Sequence, residues 1–228
     1  MMPVDVDPVG EALSVGLRSP GRPCTLNVDG RQVRASCAAR RYGGRGMVVL
    51  RIQTPLRTRF AVARRSSVSA AFDAHVGPQL QRIDASALAL PGVDVLALEP
   101  MWAQNLLRSA VLVGATNALF ADIPPDCGVV LSLRPGAIVF SVGNPVHDRI
   151  GATVARRWLD SLLAVLRIAE AGPPPQLRAE PTALERLADD PVRTQRFAVI
   201  AVIVALVGVF GMAFLAAAVV LATFWLRR

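Results

Sequence analysis

Asp73 with His75, and His147 with Asp148, are the two places in this chain where a carboxylate and an imidazole stand close in sequence. Such a pair can share a proton and serve as general acid and base. The chain has only these two histidines, and neither lies in a GxSxG or HExxH frame. His147–Asp148 opens a helical pattern, where an acid at the positive end is favoured without any catalytic role. Cys24, Cys37 and Cys127 form no CxxC pair, and their spacing fits neither a zinc site nor a disulfide framework. No metal and no cofactor are expected. Gly43-Gly44-Arg45-Gly46 offers backbone N–H groups and a guanidinium to a phosphate. The GxxxxGK[ST] frame is missing, however, and no helical pattern follows. A membrane-bound enzyme working near Asp73/His75 or His147/Asp148 is the alternative reading rather than the leading one.

Guanidinium groups are the more informative chemistry. All 25 basic residues are Arg, and the net charge is +8. The absence of Lys fits the codon bias of a GC-rich bacterial genome. The distribution does not follow from that bias, because ten arginines and no acid fall between residues 31 and 72. Arg34, Arg40, Arg41, Arg45, Arg51, Arg57, Arg59 and Arg65 are the candidates for holding an anionic partner, either anionic lipid or an acidic protein. Only Tyr42 and Phe60 accompany them as aromatics, too few for the stacking platforms of nucleic-acid binders.

The end of the chain says where this would happen. Residues 197–226 carry no charge, and about twenty such residues already span a bilayer as a helix. Trp225, Arg227 and Arg228 suit an interfacial anchor at the far side. The first 25 residues lack a basic leader and a continuous apolar run, so no signal peptide is expected. The expected topology is a tail anchor in a bacterial inner membrane, with the N-terminal part cytoplasmic. Arg178, Arg186, Arg193 and Arg196 before the span agree with it. Ala201, Ala205 and Gly208 recur at helical spacing and would let the span pack against another helix, in a homo-oligomer or as an accessory subunit of a membrane complex.

The elements that must carry the arginines come next. Asp29-Gly30 predicts a two-residue hairpin that sets Leu26 opposite Val33, Cys24 opposite Ala35 and Thr25 opposite Arg34. Cys24 and Cys37 then read as small core residues. Strands are predicted at 47–54 and 57–65, the second with Arg57, Arg59 and Arg65 on the face opposite Phe60 and Val62. Residues 66–92 give no clear pattern, and 93–100 read as another strand. Pro100 predicts the first turn of one helix over 101–120, with Trp102, Leu106, Leu107, Val111 and Val113 as its apolar surface. Arg134-Pro135-Gly136-Ala137 predicts a type II turn between two strands. Asn144-Pro145 predicts the start of a long helix to about Glu170, buried along Val146, Ile150, Val154, Trp158, Leu162, Val165 and Ala169. A Pro-rich linker follows, with a short helix predicted at 182–189.

The FD pair at Phe72-Asp73, the VDVLALEPMWAQNLL step from strand to helix and the LRPGAIVF hairpin before a long helix resemble small, uncharacterised bacterial domains of unknown function tethered to membranes. The resemblance covers roughly residues 45–172. It implies an α+β architecture and no activity.

The expected fold is therefore α+β, an antiparallel sheet with two main helices and one C-terminal transmembrane helix. The expected organisation is a domain at 1–172, a linker at 173–196 and a span at 197–226. The expected function is that of a membrane-bound interaction module.

Overall fold

A computed structural model describes residues 7–38, 46–64, 80–143, 150–182 and 185. The chain divides into two compact units, Met1–Glu180 and Pro181–Arg228. In order, the first holds α1 (Pro8–Arg18), β1 (Cys24–Val28), β2 (Arg31–Ala38), β3 (Met47–Gln53), β4 (Phe60–Arg64), β5 (Gln81–Ile83), β6 (Val93–Ala97), α2 (Pro100–Leu107), α3 (Ala110–Ala121), β7 (Gly128–Arg134), β8 (Ala137–Gly143) and α4 (Ala152–Ala171). This is an α+β fold. Its strands form one antiparallel eight-stranded sheet in the order β1-β2-β3-β8-β7-β4-β6-β5.

Turn chemistry sets the two hairpins. Asp29 and Gly30 both take positive φ, 51° and 73°, as a primed turn requires. The resulting register places Cys24, Thr25 and Leu26 opposite Ala35, Arg34 and Val33, as the spacing predicts. Gly136, at φ 85°, closes the β7–β8 turn, where Pro135 supplies the preceding bend.

One face of the sheet carries the core. Val33, Leu50, Leu131, Phe140, Val62 and Val95 alternate inward and pack with Leu13 and Leu17 of α1 and with the buried stripe of α4. Trp158, Leu162, Val165 and Ala169 form that stripe, as the helical period predicts.

Four helices are described where two main ones were expected. The predicted helix over 101–120 is two, because Ser109 stops the first and caps the second, its hydroxyl accepting from Leu112 N at 3.4 Å. The break turns Val111 outward, where it is 58% exposed. The long C-terminal helix begins at Ala152, with Gly151 extended at its N-cap and Ile150 outside it. Asn144, Pro145 and Val146 lie outside the described residues. The strand predicted from residue 57 begins at Phe60.

The sequence reading assigned no element before β1, yet α1 is well built. Asp7 caps Val9 N at 3.1 Å and Pro8 sits in the first turn. Two glycines let α1 approach closely. A Cβ on Gly10 would lie 2.7 Å from the Ala152 carbonyl oxygen, and one on Gly16 would lie 2.6 Å from Cys24 Cβ. Gly16→Ala is expected to lose about 1–2 kcal/mol by forcing α1 off the sheet. A thermal melt checks this as a fall of roughly 3–6 °C.

Among the described residues no helix is long and apolar enough to cross a membrane. The predicted span 197–226, with Ala201, Ala205 and Gly208, lies outside them. Thr182 and Glu185 exchange hydrogen bonds, Thr182 N to Glu185 Oε2 at 2.7 Å and Glu185 N to Thr182 Oγ1 at 3.2 Å. That reciprocal pair has the capping-box pattern, while residues 183–184 and 186–189 of the helix predicted at 182–189 lie outside the described residues.

Candidate anion-binding face

The strand register draws a single rung across all eight strands on the face away from the described helices. It reads Thr25, Arg34, Arg51, Val139, Ser132, Ala61, Leu96 and Arg82. The rung divides in the middle. On the β1–β3 side the face is mostly polar: Thr25, Asn27, Gln32 and Gln53 are exposed and Arg34, Ser36 and Arg51 half-buried, with Val49 half-buried and Met47 exposed toward one end of β3. Gln53 donates to Gln32 Oε1 at 2.8 Å and bridges the rung below. On the β8–β7–β4 side it is small and dry: Val139, Ser132, Ala61, Ala63 and Val130 are all buried.

Arg34 and Arg51 stand directly opposite one another across β2 and β3. Their Cβ atoms are then about 5 Å apart, and like charges at that separation destabilise a sheet. An anion bound between the two guanidiniums reverses the sign of that interaction. Both residues are candidates from the sequence, and the pairing register brings them together.

The other candidate arginines fare differently. Arg57 is exposed and meets Glu180 only at 4.0 Å, a surface pair of small energetic weight. Arg59 does not stand on a solvated face. It is 8% exposed, and its Nη2 donates to the Glu180 carbonyl at 3.0 Å. The cause is the segment after α4, which wraps the lower end of the sheet. Trp102 Nε1 donates to Pro173 O at 3.0 Å, and Ala179 N donates to Arg57 O at 2.8 Å. Glu99 Oε2 accepts from Gln176 N and Leu177 N at 2.8 and 3.1 Å. Residues 173–180, read from sequence as linker, are thus a strap fastened to the domain. It starts at α4, on the helix face. It ends at Glu180 beside Arg59, whose place two residues before Ala61 puts it on the same face as Arg34 and Arg51.

Two arginines of the basic window serve the fold. Arg64 donates to the carbonyls of Phe120, Ile123 and Pro124 at 3.2, 3.2 and 2.6 Å, satisfying the open end of α3. Arg31 makes a bidentate pair with Glu170, at 2.8 and 2.5 Å, beneath a cleft of about 460 Å³ lined by Asp29, Gln53, Thr54 and Gly136. Thr54 Oγ1 adds a third bond to Glu170, at 2.6 Å. Glu170 sits in the last turn of α4, where the helix dipole disfavours an acid, and the pair offsets that. Sequence spacing gave no sign of this contact, since its partners lie 139 residues apart.

Burial pushes the Glu170 carboxyl up, but the bonds from Arg31 and Thr54 and the Arg31 charge outweigh it and hold the pKa below its ordinary value. A lowered carboxylate pKa stabilises the fold above the unfolded value, about 4.3, and that stability is lost as pH falls below it. Glu170→Gln is therefore expected to cost about 1 kcal/mol at pH 7. In denaturant titrations at pH 7 and pH 3, the difference from the parent should shrink at the lower pH.

Cys37 and Cys127 are buried and Cys24 half-buried, and burial raises all three thiols above their ordinary range. That suits the packing role expected of Cys24 and Cys37. Among the described residues no three His, Cys, Asp or Glu side chains gather as a metal site. Arg40, Arg41, Arg45, Arg65, Asp73, His75, His147 and Asp148 lie outside the described residues. No family model, no curated protein and no solved structure matches the chain.

Proposed function

We propose that the protein is a membrane-anchored binding module. Its α+β domain docks the β1–β3 part of the sheet face opposite the described helices on anionic lipid at the cytoplasmic side of a bacterial inner membrane. The observation that carries this reading is the end of the strap. Glu180 is held by Arg59 just before β4, on the sheet face that three strands away bears the Arg34–Arg51 pair, so the described part of the strap ends on that face. Sixteen residues separate Glu180 from the uncharged segment at Phe197, a reach of at most about 55 Å. Were the strap undone from Pro173, the reach would be about 80 Å. A short tether keeps the face near phosphate headgroups, where each basic residue contributes about 1 kcal/mol.

The test is energy transfer from a donor on the N-terminus of the full chain to acceptor lipids in reconstituted vesicles. Efficiency should rise when neutral lipid is replaced by a mixture with anionic lipid, and fall again in 0.5 M salt. Equal efficiency in all conditions would end the lipid-docking reading.

A further inference from the structure

The lower rim of the domain exposes two large apolar side chains, on segments that Glu99 ties to one another. Met101, in the first turn of α2, is 66% exposed, and Leu177, in the strap, is 51% exposed. Glu99 joins them. It occupies the N-cap position of α2, yet its carboxylate makes no cap bond and instead accepts from Gln176 N and Leu177 N. Trp102 binds the start of the strap to the same turn. Arg57 and Arg178 are exposed nearby on the strap and its partner segment.

We propose that Met101 and Leu177 form a small apolar wedge that enters the interfacial layer of the bilayer, with Arg57 and Arg178 on the lipid phosphates. The proposal rests on the membrane-anchored reading and adds to it a contact that is apolar rather than ionic. Two points favour lipid over protein as the occupant. A pair of side chains covers far too little area for a stable protein interface, which buries about 1,200 Å² or more. An apolar pair flanked by guanidiniums is, by contrast, the pattern of interfacial membrane contacts, with apolar groups at the acyl boundary and cations in the headgroups. The rim is also where the strap leaves the domain, sixteen residues before the uncharged segment.

The experiment places a photoreactive benzophenone amino acid at Met101, at Leu177 or, as an equally exposed control on α1, at Val15. Each full-length chain is reconstituted in vesicles of neutral phosphatidylcholine, floated, irradiated and scored for lipid adducts by mass. Adducts at 101 and 177 at least fivefold above those at 15 are expected, with neutral lipid alone. Glu99→Ala should lower the yield at 177 several-fold and leave that at 101. Chains that float with equal yields at all three positions overturn the wedge while leaving the anchor intact. Chains that fail to float overturn the anchored reading and the wedge with it. Adducts that persist where the energy-transfer assay shows no charge dependence support the wedge and count against ionic docking.

Discussion

Phe140→Ala is expected to remove about 4 kcal/mol of stability. Phe140 lies at the centre of β8, 1% exposed, beneath the helix layer. Its ring meets Trp158 of α4 edge-on, with centroids 5.2 Å apart, and tilts against Phe120 of α3 at 6.4 Å. Truncation deletes the shared member of both contacts, and packed β-sheet and helix backbones cannot close the void. Native stabilities are about 5–15 kcal/mol, so the loss consumes a large fraction of the total. A domain of this size should melt roughly 12 °C lower. Phe140→Leu fills most of the space and should cost less than half as much. A loss under 2 kcal/mol for the alanine variant would mean that β8 and the α3–α4 pair do not share this core.

The second large effect concerns docking. Replacing Arg34 and Arg51 together with Gln should weaken association of the tethered domain with anionic lipid about 30-fold, at about 1 kcal/mol for each. Removing two like charges relieves a cross-strand repulsion, and a denaturant titration of the double variant separates a loss of docking from a loss of fold. Arg156→Gln, on the outer side of α4 in an exposed pair with Asp160, is the matched control and should leave docking unchanged. Energy transfer at graded anionic lipid content reads both. A double variant that docks like the parent would remove this pair from the site.

Local chemistry made much of this architecture legible. Asp29-Gly30 and Pro135-Gly136 can satisfy only a few turn geometries, so hairpin register followed directly from them. The stripe Trp158, Leu162, Val165 and Ala169 repeats at the helical period because α4 buries one side. What local pattern could not supply was competition between elements. Ser109 as a cap overrode the single helix that the apolar surface of Trp102, Leu106, Leu107, Val111 and Val113 predicts over 101–120. α1 was hidden because Gly10 and Gly16, poor helix formers in isolation, are required by close backbone approach. At the site, alternation put Arg34 outward, but only the register of β2 with β3 set it against Arg51. Arg59 follows the same alternation, and yet a strap drawn from beyond α4 covers it. The Arg31–Glu170 pair depends wholly on tertiary contact. Sequence counts ten arginines in one window; the fold holds Arg31, Arg59 and Arg64 on carboxylate and carbonyl oxygens and sets Arg34 against Arg51.

The most direct test asks which face of the anchored domain is turned toward lipid. Nitroxides are introduced on the full-length chain through a ketone-bearing amino acid, which leaves the native cysteines untouched. One replaces Thr25 or Gln32 on the face opposite the described helices, and another replaces Arg157 on α4. In vesicles containing anionic lipid, the labels at 25 and 32 should relax faster with lipid-soluble oxygen, and the label at 157 with a water-soluble nickel chelate. The reverse pattern, or equal access to the chelate at all three positions, would contradict docking through the Arg34–Arg51 face.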